Sequence, residues 1–162
     1  RTHPDHFQAK TTTLDWAALC REVVADWYSQ LERKQQQISI EGDVHLELKA
    51  DEFALRLMVS NLLGNAIKYT PEGGQIKLTL SHSDKTATLA VADSGPGIPE
   101  QEYEQVFNRF YRVGGDRHQS GAPGSGLGLA IVKEIVMLHR GTISLAKSEF
   151  ITGLSVKVEL PR

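Results

Sequence analysis

Cysteine is nearly absent from this chain: a single Cys20 stands among 162 residues. One cysteine excludes an internal disulfide framework and a cysteine-based zinc site. It lies in an apolar-periodic stretch, which predicts a buried, inert thiol. Charge of one sign is lacking too, with 18 Lys and Arg against 20 Asp and Glu and a net charge of -2. That balance argues against a nucleic-acid partner, whose binding surface is normally basic. No apolar run approaches the length of a membrane span, and no signal peptide is visible. Several phosphate-binding signatures are also missing. There is no Gly-x4-Gly-Lys-Ser/Thr, no Gly-x-Gly-x-x-Gly spacing and no protein-kinase catalytic loop. No repeat, coiled-coil seam or second domain emerges.

What is present suits one globular domain, 40% hydrophobic and 23% charged. The chain opens on Arg1 without a Met, so it is read as a piece of a longer protein. Residues 1–13 are polar and predict a linker, with a single domain over 14–162. Residues 14–36 approximate a 3.6 period and predict a helix that begins at Asp15. Trp16 and Trp27 read as packing anchors. Residues 38–40 and 45–49 alternate as two short strands around Glu41-Gly42-Asp43. A helix starting at Asp51 runs to Tyr69, and residues 75–82 and 86–92 form a hairpin. Residues 99–106 predict a short helix. A further helix from Gly126 carries His139 and Arg140 in its last turn, with Gly141 beyond it. Residues 142–147 and 154–160 close the chain as strands. This mixture gives an α/β two-layer sandwich.

Four segments carry chemistry. On the Asp51 helix, Asn61, Asn65, Lys68 and Tyr69 fall at i, i+4, i+7 and i+8, along one stripe beside the apolar arc. Two amides there offer oxygens to a hard cation such as Mg²⁺, and Lys68 offers a phosphate contact. Taken alone, a solvated polar stripe is the plainer account. Next, Asp93-Ser94-Gly95-Pro96-Gly97-Ile98 follows a strand directly. Its carboxylate suits the exocyclic amino group of adenine, with Gly95 and Gly97 turning the chain beside the base; an ordinary Asp-Ser-Gly turn is the plainer account. Third, Phe107-Asn108-Arg109-Phe110-Tyr111-Arg112 sets Arg109 and Arg112 at the root of a loop with six glycines in residues 114–128, which predicts a mobile segment. Phe107 and Phe110 read as anchors of that loop. Last, Gly124-Ser125-Gly126-Leu127-Gly128 runs straight into an apolar helix, a junction whose free N–H groups suit a phosphate.

Singly, each segment has a structural explanation. In this order they resemble the asparagine, first glycine, phenylalanine and second glycine boxes of bacterial sensor histidine kinases, over nearly the whole chain. The resemblance implies the Bergerat-type ATP-binding fold shared with DNA gyrase and MutL, a mixed sheet with helices on one face and a mobile ATP lid over residues 113–123. It implies Asn65 as the Mg²⁺ ligand with Asn61 beside it, and Lys68 and Tyr69 as nucleotide contacts. Asp93 becomes the adenine acceptor; Gly95, Gly97 and Ile98 shape the base pocket. Arg112 and Arg109 match the γ-phosphate arginines, which with Lys68 carry the catalytic role, and Gly124, Gly126, Leu127 and Gly128 match the hinge and phosphate cradle. ATP and Mg²⁺ follow as cofactors. The implied partners are a separate dimerisation domain bearing the phospho-accepting histidine, and a response regulator. The resemblance also implies a cytoplasmic, monomeric fragment of a homodimeric inner-membrane sensor.

Two departures matter. Many relatives place an acidic residue before the second Asn, where this chain has Gly64, and no Glu lies between Glu52 and Glu72, which disfavours ATP hydrolysis as the main function. The phospho-acceptor motif (His, acidic, apolar, Arg, any, Pro) fits none of the six histidines, and His139 reads as a helix cap. The alternatives are another Bergerat-type ATPase, an anti-sigma serine kinase, or a non-catalytic nucleotide-binding and docking module.

Overall fold

The computed structural model describes residues 9–108, 111 and 128–162. Thr11–Asp15 forms strand β1, so the end of the expected linker is instead ordered sheet. Its three threonines are β-branched and favour extended backbone. They pair antiparallel with β3 (Glu47–Asp51), Thr11 opposite Asp51 and Asp15 opposite Glu47.

Asp15 ends β1 and caps helix α1 (Trp16–Asp26). Its Oδ1 accepts the Ala17 and Ala18 N–H groups and also the Leu46 N–H at 2.9 Å, while Oδ2 meets His45 Nδ1 at 2.9 Å. Burial pushes this carboxyl upward, but the Leu46 and Ala18 N–H groups and His45 outweigh it and bring the pKa down to about 2. The helix expected over 14–36 breaks at Trp27, whose ring turns onto the next long helix, and resumes as α2 (Tyr28–Arg33).

The strands expected around Glu41-Gly42-Asp43 both form but do not pair with each other. Strand β2 (Gln37–Gly42) runs parallel to β4 (Gln75–His82), whereas β3 belongs to the small sheet with β1. β4 and β5 (Thr86–Asp93) make the expected hairpin. With β6 (Thr142–Lys147) and β7 (Leu154–Pro161) they complete a five-stranded sheet in the order β2-β4-β5-β7-β6, antiparallel except for β2–β4. Residues 99–106 give two short 3₁₀ turns in place of a helix, Glu100–Glu102 and Gln105–Phe107.

One face of the large sheet is apolar. Ile76, Leu78 and Leu80 of β4, Ala87, Leu89 and Val91 of β5, and Val156, Val158 and Leu160 of β7 are all buried. They share one core with Leu55, Met58, Val59, Leu62, Leu63 and Ala66 of helix α3 (Glu52–Tyr69) and with Val132, Ile135 and Val136 of α4 (Gly128–Leu138). The helices therefore cover one face, giving the α/β two-layer sandwich. Each buried Leu, Ile, Val or Met side chain among them contributes about 1.5–3 kcal/mol by leaving water.

α3 is held at both ends. At its start Asp51 caps the Ala54 N–H at 3.0 Å. At its end the buried Gln36 Nε2 donates to Ile67 O at 3.0 Å and Thr70 O at 2.8 Å, and Lys34 Nζ reaches Ile67 O at 2.7 Å. These donors satisfy carbonyls that no helical turn follows. α4 lies antiparallel to α3, Gly128 beside Asn65 and His139 beside Asp51. The His139 ring bonds Ile135 O through Nδ1–H at 2.9 Å and accepts the Asp51 N–H on Nε2 at 3.0 Å. It is thus more than the helix cap that its position predicts: it ties two helices together.

Candidate functional site

A cavity of about 440 Å³ opens between α3, the end of β5 and the start of α4. Its lining includes Asn61, Asn65, Lys68, Tyr69, Asp93, Gly97, Ile98 and Gly128, eight residues that the sequence singles out. Gly95 stands just behind this wall, where a Cβ would come within 2.6 Å of Tyr69 O.

Asp93 terminates β5 and is only 8% exposed. Its Oδ1 accepts the Gly95 N–H at 2.9 Å and the Leu154 N–H at 3.3 Å. Desolvation nevertheless dominates and raises its pKa above the ordinary carboxylate value. Oδ2 has no partner among the described residues. Around it Val91, Ile98, Leu154 and Val156 form apolar walls. A lone acceptor at the end of an apolar slot can select a flat ring that carries an N–H donor.

The backbone there is tightly interlocked. Gly97 has φ +79, and Gly153 has φ +126 with its Cα so close to the Asp93 carbonyl that a Cβ would fall 1.8 Å from that oxygen. Only glycine fits such an approach at such a φ. Sequence reasoning missed Gly153 and Leu154. Their link to Asp93 is a backbone N–H from 61 residues away, and no side-chain pattern announces it. The alternation of β7 places Leu154 and Val156 on the inner face but gives no sign that they wall this cavity. Val106, Tyr111 and Leu129 were missed as lining for the same reason.

The opposite end is polar. Asn61, Asn65 and Lys68 follow one another along α3, and Lys68 Nζ lies 5.0 Å from the centroid of the Tyr69 ring. Asn61 Nδ2 is buried with no hydrogen-bond partner among the described residues. A buried amide without a partner is costly, and a ligand group in the cavity would relieve it. Asn65 touches Gly128, where a Cβ would meet its side-chain amide at 3.1 Å. No cluster of three or more His, Cys, Asp or Glu side chains suitable for a metal occurs among the described residues. The side-chain amide oxygens of Asn61 and Asn65 are of the kind that suits a hard cation, one that brings phosphates and waters with it.

Gly64 lies off the cavity stripe. A Cβ there would stand 3.0 Å from the Trp27 ring, whose Nε1–H donates to Ser60 Oγ at 3.0 Å. Any side chain at position 64 therefore begins in tight contact with the indole. Arg109, Arg112, Gly124, Gly126, Leu127 and the lid expected over residues 113–123 lie outside the described residues.

A buried acceptor among apolar walls, in one cavity with two amides and a lysine, suits an adenine nucleotide. Residues 50–162 match the family model described as histidine kinase-, DNA gyrase B-, and HSP90-like ATPase. The chain belongs to this family. It is 40% identical over 146 residues to the sensor protein kinase PmrB of Pseudomonas aeruginosa, an alignment covering 90% of this chain and 30% of PmrB. The solved catalytic domain of histidine kinase ThkA superposes with a TM-score of 0.83 at 28% identity, covering 94% of this chain and 97% of that domain. Full-length ShkA, solved in complex with AMPPNP, gives 0.82 at 28% identity, covering 96% of this chain and 32% of ShkA. ThkA has also been solved in complex with the response regulator TrrA, a match with a TM-score of 0.79 at 28% identity over 93% of this chain and 41% of that one. The domain is thus the ATP-binding catalytic domain of the sensor histidine kinases, and the chain spans about a third of the length of PmrB. No helix among the described residues is long and apolar enough to cross a membrane.

Proposed function

We propose that this domain binds Mg²⁺-ATP and transfers its γ-phosphoryl group to an imidazole nitrogen on a separate dimerisation domain, from which a response regulator receives it. Residues 1–13 then lead in from that domain, and the whole protein is a homodimer attached to a membrane. The observation that carries this reading is the single cavity joining a buried, half-used Asp93 carboxylate to the Asn61, Asn65 and Lys68 stripe.

Asp93 Oδ2 accepts the adenine amino group, and Gly97, Ile98 and Leu154 hold the ring flat. Lys68 and Tyr69 face the ribose and phosphates. Asn65, with Asn61, would hold Mg²⁺, which would supply charge neutralisation on the phosphates. Arg112 and Arg109 act on the γ-phosphate, and Gly124, Gly126 and Leu127 cradle the chain of phosphates ahead of Gly128. The domain forms no covalent intermediate; it positions the nucleotide and offsets charge in the transition state. The nucleophile is the acceptor imidazole, and the base that assists it belongs to the other domain.

Mixing the domain with labelled ATP and a matching histidine-bearing domain tests this directly. Acid-labile label on the partner's histidine is the expected result. Tight nucleotide binding with no transfer would instead indicate a docking module, and release of free phosphate without any partner an ATPase.

A further inference from the structure

The C-terminal end of α4 is pinned on two sides. Gly141 N–H donates to Val136 O at 2.9 Å and Arg140 N–H to Met137 O at 3.0 Å, closing the last turn. Arg140 takes φ +60 there, a left-handed conformation that a residue with a side chain holds only where its surroundings impose it. Gly141 then lies against β7, where a Cβ would come within 2.3 Å of Glu159 O. That contact ties the turn to the sheet. His139 ties it to α3: Nε2 accepts the Asp51 N–H at 3.0 Å, while Nδ1 bonds Ile135 O at 2.9 Å. A ring nitrogen that accepts an N–H must be bare, so this geometry holds the ring neutral with its proton on Nδ1.

The other end of α4 belongs to the site. Gly128, its first residue, rests on the Asn65 amide, and Gly128 and Leu129 line the cavity. The helix is 11 residues long, short enough to shift as one body. Its buried face shares the core with α3, but apolar burial follows area and carries no direction, so it tolerates small slides of one helix along the other. A hydrogen bond weakens steeply once it is misaligned. The Asp51–His139 bond therefore sets a register that the core alone does not. We propose that His139 is a positioning residue for the phosphate end of the nucleotide site: it fixes α4 lengthwise against α3 and so holds Gly128 against Asn65. His139 itself reaches no nucleotide. The base end is spared, because Asp93 takes its partners from Gly95 and Leu154, on the sheet and its loops. This inference rests on the reading that places the base at Asp93 and the phosphates toward Asn65.

Three substitutions separate this role from a general loss of structure. His139→Phe keeps a ring but no acceptor. His139→Asn places its oxygen near the position of Nδ1, and His139→Gln places one near that of Nε2. Each protein is titrated with adenosine and with Mg²⁺-ATP, well below its unfolding temperature. We expect ATP binding about fivefold weaker in the Phe and Asn variants, the scale of one lost hydrogen bond, with adenosine affinity unchanged. The Gln variant should regain most of the ATP affinity. Wild-type ATP affinity in all three variants would overturn the proposal. Equal losses for adenosine and ATP would overturn it too, by making His139 a general structural prop. Nitrogen-15 shifts of the wild-type ring give a check that needs no variant: a proton on Nδ1 supports the clamp, and a proton on Nε2 refutes it. A wild-type domain that binds ATP no more tightly than adenosine would instead sink the underlying placement of the phosphates, and the proposal with it.

Discussion

Gly128, the first residue of α4, rests on the side chain of Asn65: a Cβ at residue 128 would lie 3.1 Å from Asn65 Nδ2 and 3.2 Å from Oδ1. The start of α4 and the middle of α3 thus share one polar corner of the cavity. Gly128→Val drives a branched side chain into that amide and turns it away. We expect nucleotide affinity measured with Mg²⁺ by calorimetry to fall roughly tenfold, about 1.4 kcal/mol, within the range for overpacking a fitted site. Affinity measured without Mg²⁺ should fall less. An equal loss in both would remove Asn65 from the metal end.

Asp93→Asn keeps an oxygen for the Gly95 and Leu154 N–H groups, so the fold should persist. What it changes is the second acceptor, Oδ2. ATP and ADP affinity should drop by about 1–3 kcal/mol, the cost of losing a charged partner for a buried hydrogen bond. Unchanged affinity would sink the adenine assignment. The raised pKa of Asp93 adds a pH signature. On acidification its carboxylate protonates at higher pH than an ordinary Asp, and adenine affinity should begin to fall there. The sign for stability is opposite, because burying the charge disfavours the folded state. That cost is relieved as pH falls through the raised pKa.

Asp15 behaves the other way. Its pKa of about 2 lies below the ordinary Asp value, so its contribution is fully present above that ordinary value, near 4, and is lost as pH falls toward 2. Asp15→Ala removes the cap of α1 and the anchor for Leu46 together. A loss of about 1–2 kcal/mol in urea unfolding at pH 7 is expected, the scale of a lost N-cap. The gap between wild type and variant should narrow between pH 4 and pH 2. A gap that stays constant over that range would mean the carboxylate charge is not what matters.

Gly64→Glu tests the departure from relatives with an acidic residue before the second Asn. The new Cβ would meet the Trp27 ring at 3.0 Å, so the indole must shift to admit it. Overpacking of this kind costs about 1–3 kcal/mol. Trp27 fluorescence should shift as the ring loses its bond to Ser60. If stability rises instead, the gain in helix propensity over glycine has outweighed the clash.

α3 was almost fully legible, because its period, the cap at Asp51 and the stop at Thr70-Pro71 are all local. The hairpin of β4 and β5 was legible for the same reason. β1 was not: Thr11, Thr12 and Thr13 become a strand through pairing with residues some 40 positions on, and polar composition alone suggests a loose segment. The break at Trp27 is likewise tertiary, set by a ring seated on Gly64. At the site, the ordered motifs located Asn61, Asn65, Lys68, Tyr69 and Asp93 in one cavity. Gly153 and Leu154 act through backbone atoms, which leave little mark on a sequence pattern. His139 was identified as a helix-end residue, but the acceptor role of Nε2 toward Asp51 depends on α4 folding back along α3.

The interlocked glycines around Asp93 make the base end of the cavity unequal in what it tolerates. Much of its shape is drawn by main chain, with Gly95 against Tyr69 O, Gly97 against Gly153, and Gly153 against Asp93 O. Apolar walls such as Ile98 or Val156 can drift among residues of similar size and leave that outline intact. One extra carbon on Gly153 cannot be absorbed, since no rotamer moves a Cβ. Variation in this pocket should therefore accumulate in its largest side chains, while its smallest residues stay unchanged.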